Sequence, residues 1–133
     1  MLRLVFALTL SLILALPARA DEAAIRNVIS SQIDAFLAED VETAFTFASP
    51  TIKRIFGSPD RFGQMVQQGY PMVWRPSDVE FLSIEDRGGR LVQNVMIRDG
   101  SGALHLLEYD MIEGAEGWKI DGVRLRKPAA GTA

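Results

Sequence analysis

The stretch Arg90-Leu-Val-Gln-Asn-Val-Met-Ile-Arg98, Asp99-Gly-Ser-Gly102, Ala103-Leu-His-Leu-Leu-Glu-Tyr-Asp-Met-Ile112 decides the fold. Two runs rich in β-branched and aromatic residues flank a four-residue segment with two glycines, which is the pattern of a hairpin. Two more runs of the same kind lie outward from it. Asp78–Asp86 precedes it across Gly88-Gly89, and Gly117–Leu125 follows it across Gly114-Ala115-Glu116. Short glycine-bearing connections join strands that lie side by side, so the four runs predict an antiparallel meander.

Upstream the period changes. Ile25, Val28, Ile29, Ile33, Phe36 and Leu37 recur every three or four residues with polar residues between them, which predicts an amphipathic helix. Asp21 is placed to cap it, and Glu39-Asp40 ends it and caps a second helix, Val41–Ala48. Ser49-Pro50 and Ser58-Pro59 each put a capping serine before a proline at the first helical position, where the missing N–H costs nothing. With Gly57 and Gly69 as left-handed stops, they predict helices over Pro50–Phe56 and Pro59–Gln68. Tyr70–Pro76 is expected to be an extended, proline-stiffened connector. Helices followed by a run of strands mean α+β, with the helices on one face of a curved four-stranded antiparallel sheet.

The first twenty residues are different in kind. Arg3 gives a positive start, Leu4–Leu16 is apolar apart from Thr9 and Ser11, and Ala18-Arg19-Ala20 offers an Ala-x-Ala cleavage site before Asp21. This is the pattern of a secretory signal peptide over residues 1–20. Thirteen residues fall short of the roughly 20 that span a bilayer, so no membrane association is expected once the signal is removed. Periplasmic or secreted location is the expectation, with one domain over 21–127 and an unstructured tail over 128–133.

The chain has 133 residues, no cysteine, 14 basic and 17 acidic residues, and a net charge of −3. The absence of cysteine excludes disulfides, thiolate metal sites and cysteine nucleophiles. An acidic chain without a basic run is not built to neutralise phosphates, which excludes nucleic acid as a partner. No phosphate loop, dinucleotide glycine set or serine elbow occurs, and one histidine cannot supply a two-histidine metal site, so no cofactor and no metal are expected.

The order of elements, with a last strand reading Trp118-Lys-Ile-Asp-Gly-Val123, resembles the nuclear transport factor 2-like superfamily, which includes ketosteroid isomerase-like and polyketide cyclase-like (SnoaL-like) proteins on a cystatin-like cone. The segments Phe56-Gly-Ser-Pro59, Gly69-Tyr-Pro-Met-Val-Trp-Arg-Pro76, Val79-Glu-Phe81 and Gly89-Arg-Leu-Val-Gln93 look like an uncharacterised bacterial family of exported proteins, a domain of unknown function. The resemblance implies a hollow between helices and sheet, and a scaffold that carries enzymes, ligand binders and adaptors alike. The tyrosine that helps to stabilise an enolate on the first helix of the isomerases has no counterpart in Asp21–Glu39.

Six residues are candidates for ligand binding: Gln32, Tyr70, Trp74, Arg75, His105 and Tyr109. Gln32 falls inside the apolar stripe of the first helix, and a buried amide must bond either to the fold or to a ligand. Tyr70, Trp74 and Arg75 either rim a pocket, with Arg75 clamping an anion, or plug the sheet while Arg75 pairs with an acid. His105 shares a strand face with Leu107, Tyr109 and Met111, and it or an inward carboxylate would be the general base of an enzyme; the other reading is an outward or hydrogen-bonded strand residue. Arg124, Arg126 and Lys127 read as a small solubilising and edge-protecting patch. Two functions remain open: non-catalytic binding of a small molecule or a protein, or an isomerase-, dehydratase- or cyclase-like enzyme. A homodimer formed through the sheet is a further expectation, because Arg90–Arg98 mixes residue types on both faces.

Overall fold

A computed structural model describes residues 19–126, together with Val5. Most of the expected signal peptide, and the expected tail over 128–133, lie outside the described residues. Five helices precede four strands: α1 (Arg19–Leu37), α2 (Val41–Thr46), α3 (Pro50–Phe56), α4 (Pro59–Gly69), α5 (Pro71–Trp74), β1 (Asp78–Arg87), β2 (Arg90–Arg98), β3 (Leu104–Gly114) and β4 (Gly117–Arg126). The strands form one antiparallel sheet in the order β1-β2-β3-β4. The α+β architecture and the meander are therefore as the glycine-punctuated sequence predicts. Among the described residues no helix is long and apolar enough to cross a membrane.

Local chemistry sets the helix ends. Asp40 caps α2 by accepting from the Thr43 N–H at 3.1 Å and from the Thr43 hydroxyl at 2.6 Å, and these two bonds hold its carboxyl below the ordinary value. Ser49 and Ser58 cap α3 and α4 in the same way, and Gly57 closes α3 at φ 79°. Ser49 also donates to Asp121 Oδ1 at 2.7 Å, and its N–H bonds the Ile120 carbonyl at 2.8 Å, so the α2–α3 junction is stitched to β4.

Three expectations are corrected. α1 begins before Asp21, which sits in its first turn with Glu22 instead of capping it; acids there favour the helix dipole, and Ala20, Ala23 and Ala24 propagate the helix upstream. Gly69 stays helical, and Tyr70 ends α4 by bonding the Val66 carbonyl at 2.8 Å. The stretch after it is not extended: Pro71 occupies the first position of the short helix α5, where its fixed φ preorganises a turn, and only after Arg75 does the chain straighten.

The core lies between α1, α4, α5 and the inner face of the sheet. Ile25, Ile29 and Phe36 of α1 are fully buried against Val95, Ile97, Leu107 and Tyr109. Phe62 of α4 gathers Phe36, Phe45 and Phe56 around it at centroid separations of 5.4–5.8 Å in tilted or edge-on arrangements. α2 crosses α4 so closely that a Cβ on Gly63 would lie 2.5 Å from Val41 Cγ1, so only glycine fits there.

Candidate functional site

The helices do not fill the space over the sheet. They leave an apolar cavity of about 210 Å³. Its helical wall is Phe36 of α1, Ile52 and Phe56 of α3, and Phe62 and Val66 of α4; its floor is Tyr109, Ile120 and Val123 of the sheet. Gln32, Tyr70 and Tyr109 are its polar side chains, and among the described residues no charged side chain lines it.

Each of those three residues has a different bonding state. Gln32 Nε2 donates to the Ala44 carbonyl at 3.2 Å, tying α1 to α2. Tyr70 donates its hydroxyl to the Val123 carbonyl at 2.9 Å, bracing the α4–α5 junction against the edge strand β4. The Tyr109 hydroxyl is fully buried and has no hydrogen-bond partner among the described residues. Burial, with the nearby Tyr70 adding to it, pushes the Tyr109 hydroxyl above the usual tyrosine range. It therefore stays protonated and is a donor throughout the physiological range.

Two other buried polar atoms lack partners, Gln93 Oε1 and Asn94 Oδ1. Both belong to β2 beside the β1 irregularity between Phe81 and Ile84, and both amide nitrogens are bonded there, Gln93 to the Leu82 carbonyl at 3.0 Å and Asn94 to the Ser83 carbonyl at 3.2 Å. Neither lines the cavity. Tyr109 is the residue in which an orphan donor and the cavity coincide.

The remaining candidates stand elsewhere. Trp74 packs on Phe36 at 5.7 Å, outside the cavity lining. Arg75 lies over the Trp74 ring at 4.9 Å, donates to the Phe36 carbonyl at 2.8 Å and the Trp74 carbonyl at 2.7 Å, and pairs with Glu39 at 3.3 Å. It closes the C-terminus of α1, whose carbonyls need donors, and does not face the cavity. His105 is on the helix-facing side of β3, as alternation predicts, but at the strand end beyond the hollow. Its Nε2 lies 2.7 Å from Asp99 Oδ2 in the β2–β3 hairpin. Asp99 is also bonded by Ser101, and these bonds, Ser101's first and His105's next, hold its carboxyl far below the ordinary range.

The opposite face of the sheet holds what the sequence reading left unassembled. Glu108 and Asp110 of β3, nearly buried, meet Arg87, Arg90 and Arg124. Arg87 reaches Glu108 at 2.6 Å, Arg124 reaches Glu108 at 3.4 Å and Asp110 Oδ1 at 3.0 Å, and Arg90 reaches Asp110 at 3.7 Å and Asp121 at 3.8 Å. Arg124 is thus part of a cross-strand ionic lattice and not of a free basic patch. The signal was present in the sequence as alternate charges, Glu108 and Asp110, two residues apart on one strand. The apolar cavity lining, by contrast, carried no chemical signal. Among the described residues no group of three or more histidines and acids could hold a metal ion.

A family model described as a domain of unknown function (DUF4864) matches residues 18–133. The chain belongs to that family. No curated protein matches it. In this member of DUF4864 the matched span takes in every helix and strand that shapes the cavity.

Proposed function

We propose that this DUF4864 protein is an exported, non-catalytic binder of a small apolar molecule, held in the hollow between helices and sheet on a scaffold of the nuclear transport factor 2-like, cystatin-like kind. The observation that carries this reading is the cavity. At about 210 Å³ it exceeds the roughly 150 Å³ apolar cavity that suffices to bind benzene. A hollow lined by aromatic and branched side chains offers apolar contacts that an apolar ligand can fill, and such concave apolar sites are where apolar ligands go. The N-terminal signal pattern supports export, and helices laid over a meander support the scaffold.

The enzymatic alternative requires a base beside the donor groups. Among the described residues no carboxylate or imidazole lines the cavity, and His105 is bonded to Asp99 in a hairpin instead of facing Tyr109 and Gln32. That favours binding without chemistry. Native mass spectrometry of the protein purified from its own periplasm tests the reading. We expect a co-purifying small-molecule mass that dissociates on gentle activation. A bare chain that also takes up no ethylbenzene in solution would overturn it.

A further inference from the structure

We propose that Tyr109 is the polar anchor of the cavity and that the ligand class is an uncharged, largely hydrocarbon molecule with one carbonyl-type hydrogen-bond acceptor. This rests on the reading of the cavity as a binding site and goes further by naming what it accepts.

Three observations converge. Tyr109 lines the cavity, and among the described residues its hydroxyl is the one buried donor of a lining residue that has no hydrogen-bond partner. A buried hydroxyl proton without an acceptor is costly, more so than an unused lone pair, so the group selects a ligand atom that accepts. Tyr70 does not compete for that atom, since the Val123 carbonyl takes its proton, and Gln32 Nε2 gives one of its two protons to the Ala44 carbonyl. Among the described residues no charged side chain lines the cavity, and the candidate clamp Arg75 is occupied by two carbonyls and Glu39 outside it. An anion entering would lose its hydration with no countercharge, which is prohibitive. A cation would meet the same penalty. Size sets the scale: 210 Å³ holds a single ring with two or three further heavy atoms, judged against the roughly 150 Å³ that hold benzene.

Three probes of similar shape separate the elements of this proposal: acetophenone with a neutral acceptor, ethylbenzene with none, and benzoate with a charge. Affinities are measured by titration calorimetry with the wild-type protein and with Tyr109→Phe. The expected result is that Tyr109→Phe weakens acetophenone about tenfold, as loss of one buried hydrogen bond does, while ethylbenzene binds the variant as well as the wild type or better. Benzoate is expected to bind neither. Should the variant fail to fold, the infrared carbonyl stretch of acetophenone bound to the wild type decides: a shift to lower wavenumber relative to acetophenone in hexane is expected, and an unshifted band overturns the anchor. Equal effects of Tyr109→Phe on ketone and hydrocarbon overturn it as well, while leaving the cavity a binding site. Benzoate bound as tightly as acetophenone overturns the neutral class. If neither acetophenone nor ethylbenzene binds, the cavity reading fails along with it.

Discussion

The two faces of strand β3 solve the burial of polar groups in opposite ways. On the outer face Glu108 and Asp110 are nearly buried, yet each carboxylate is met by arginines from neighbouring strands, so the charges are satisfied by the fold itself. On the inner face Tyr109 sits between Leu107 and Met111 beside the cavity, its hydroxyl without a hydrogen-bond partner among the described residues. The first is a finished surface. The second is, on the function proposed above, a surface that a ligand completes, and the contrast directs the search for function more sharply than the residues' chemical types do, since carboxylates and arginines carry far more obvious reactivity than a tyrosine.

Substitutions on the two sides should therefore differ in size, in salt response and even in sign. The largest effect belongs to the inner face. Phe36→Ala removes a fully buried ring packed on Phe62 and Trp74, and we expect a loss of about 3–5 kcal/mol in urea unfolding, unchanged by salt. A loss below about 1 kcal/mol would mean that the helix layer is not truly packed. On the outer face, Asp110→Ala leaves Arg124 and Arg90 half exposed and free to hydrate, so a smaller loss of about 1–2 kcal/mol is expected. That loss should shrink in 1 M NaCl, where screening acts over only about 3 Å; a salt-independent loss would show that packing, not charge, holds this face.

Tyr109→Phe should invert the sign. Deleting an orphan hydroxyl removes a desolvation cost without breaking a bond, so the ligand-free variant is expected to be more stable than the wild type by about 1 kcal/mol, read from chemical denaturation. A destabilised variant with an intact fold would mean that the hydroxyl serves the structure. The smallest effect is in the β2–β3 hairpin. Because hydrogen bonds lower the Asp99 carboxyl below its ordinary 3.8, its contribution is complete above that pH and is lost as the pH falls toward the folded-state value. The melting-temperature difference between the wild type and Asp99→Asn should be constant near neutrality and narrow below about pH 4. A difference that widened on acidification would contradict the assigned bonds.

Much of this was legible in the chain. Hairpin glycines placed the strands almost to the residue, and the Ser-Pro pairs placed α3 and α4, because turn and cap chemistry is local. Gln32 and Tyr109 were placed on the core side by helical and strand periodicity, whereas Tyr70 was readable only as part of a proline-stiffened segment that could rim a pocket or plug the sheet. The short helix α5 was not, since Pro71 suits both an extended connector and a first helical turn, and packing of Met72 and Val73 into the core settles it. His105 shows where alternation stops: parity gives the face of a strand, but which part of that face lies under the helices depends on where the helices end. Arg75 was ambiguous because one of the carbonyls it satisfies, that of Phe36, belongs to α1, 39 residues earlier.

The account stands or falls on whether a small molecule enters the space beside Tyr109. Isotope-filtered nuclear Overhauser spectroscopy on the protein saturated with ethylbenzene measures this directly. Cross-peaks from the ligand methyl and ring protons to Phe62, Val66 and Ile120 are predicted; cross-peaks confined to exposed residues such as Ile55 and Leu104, or none at all, would contradict it.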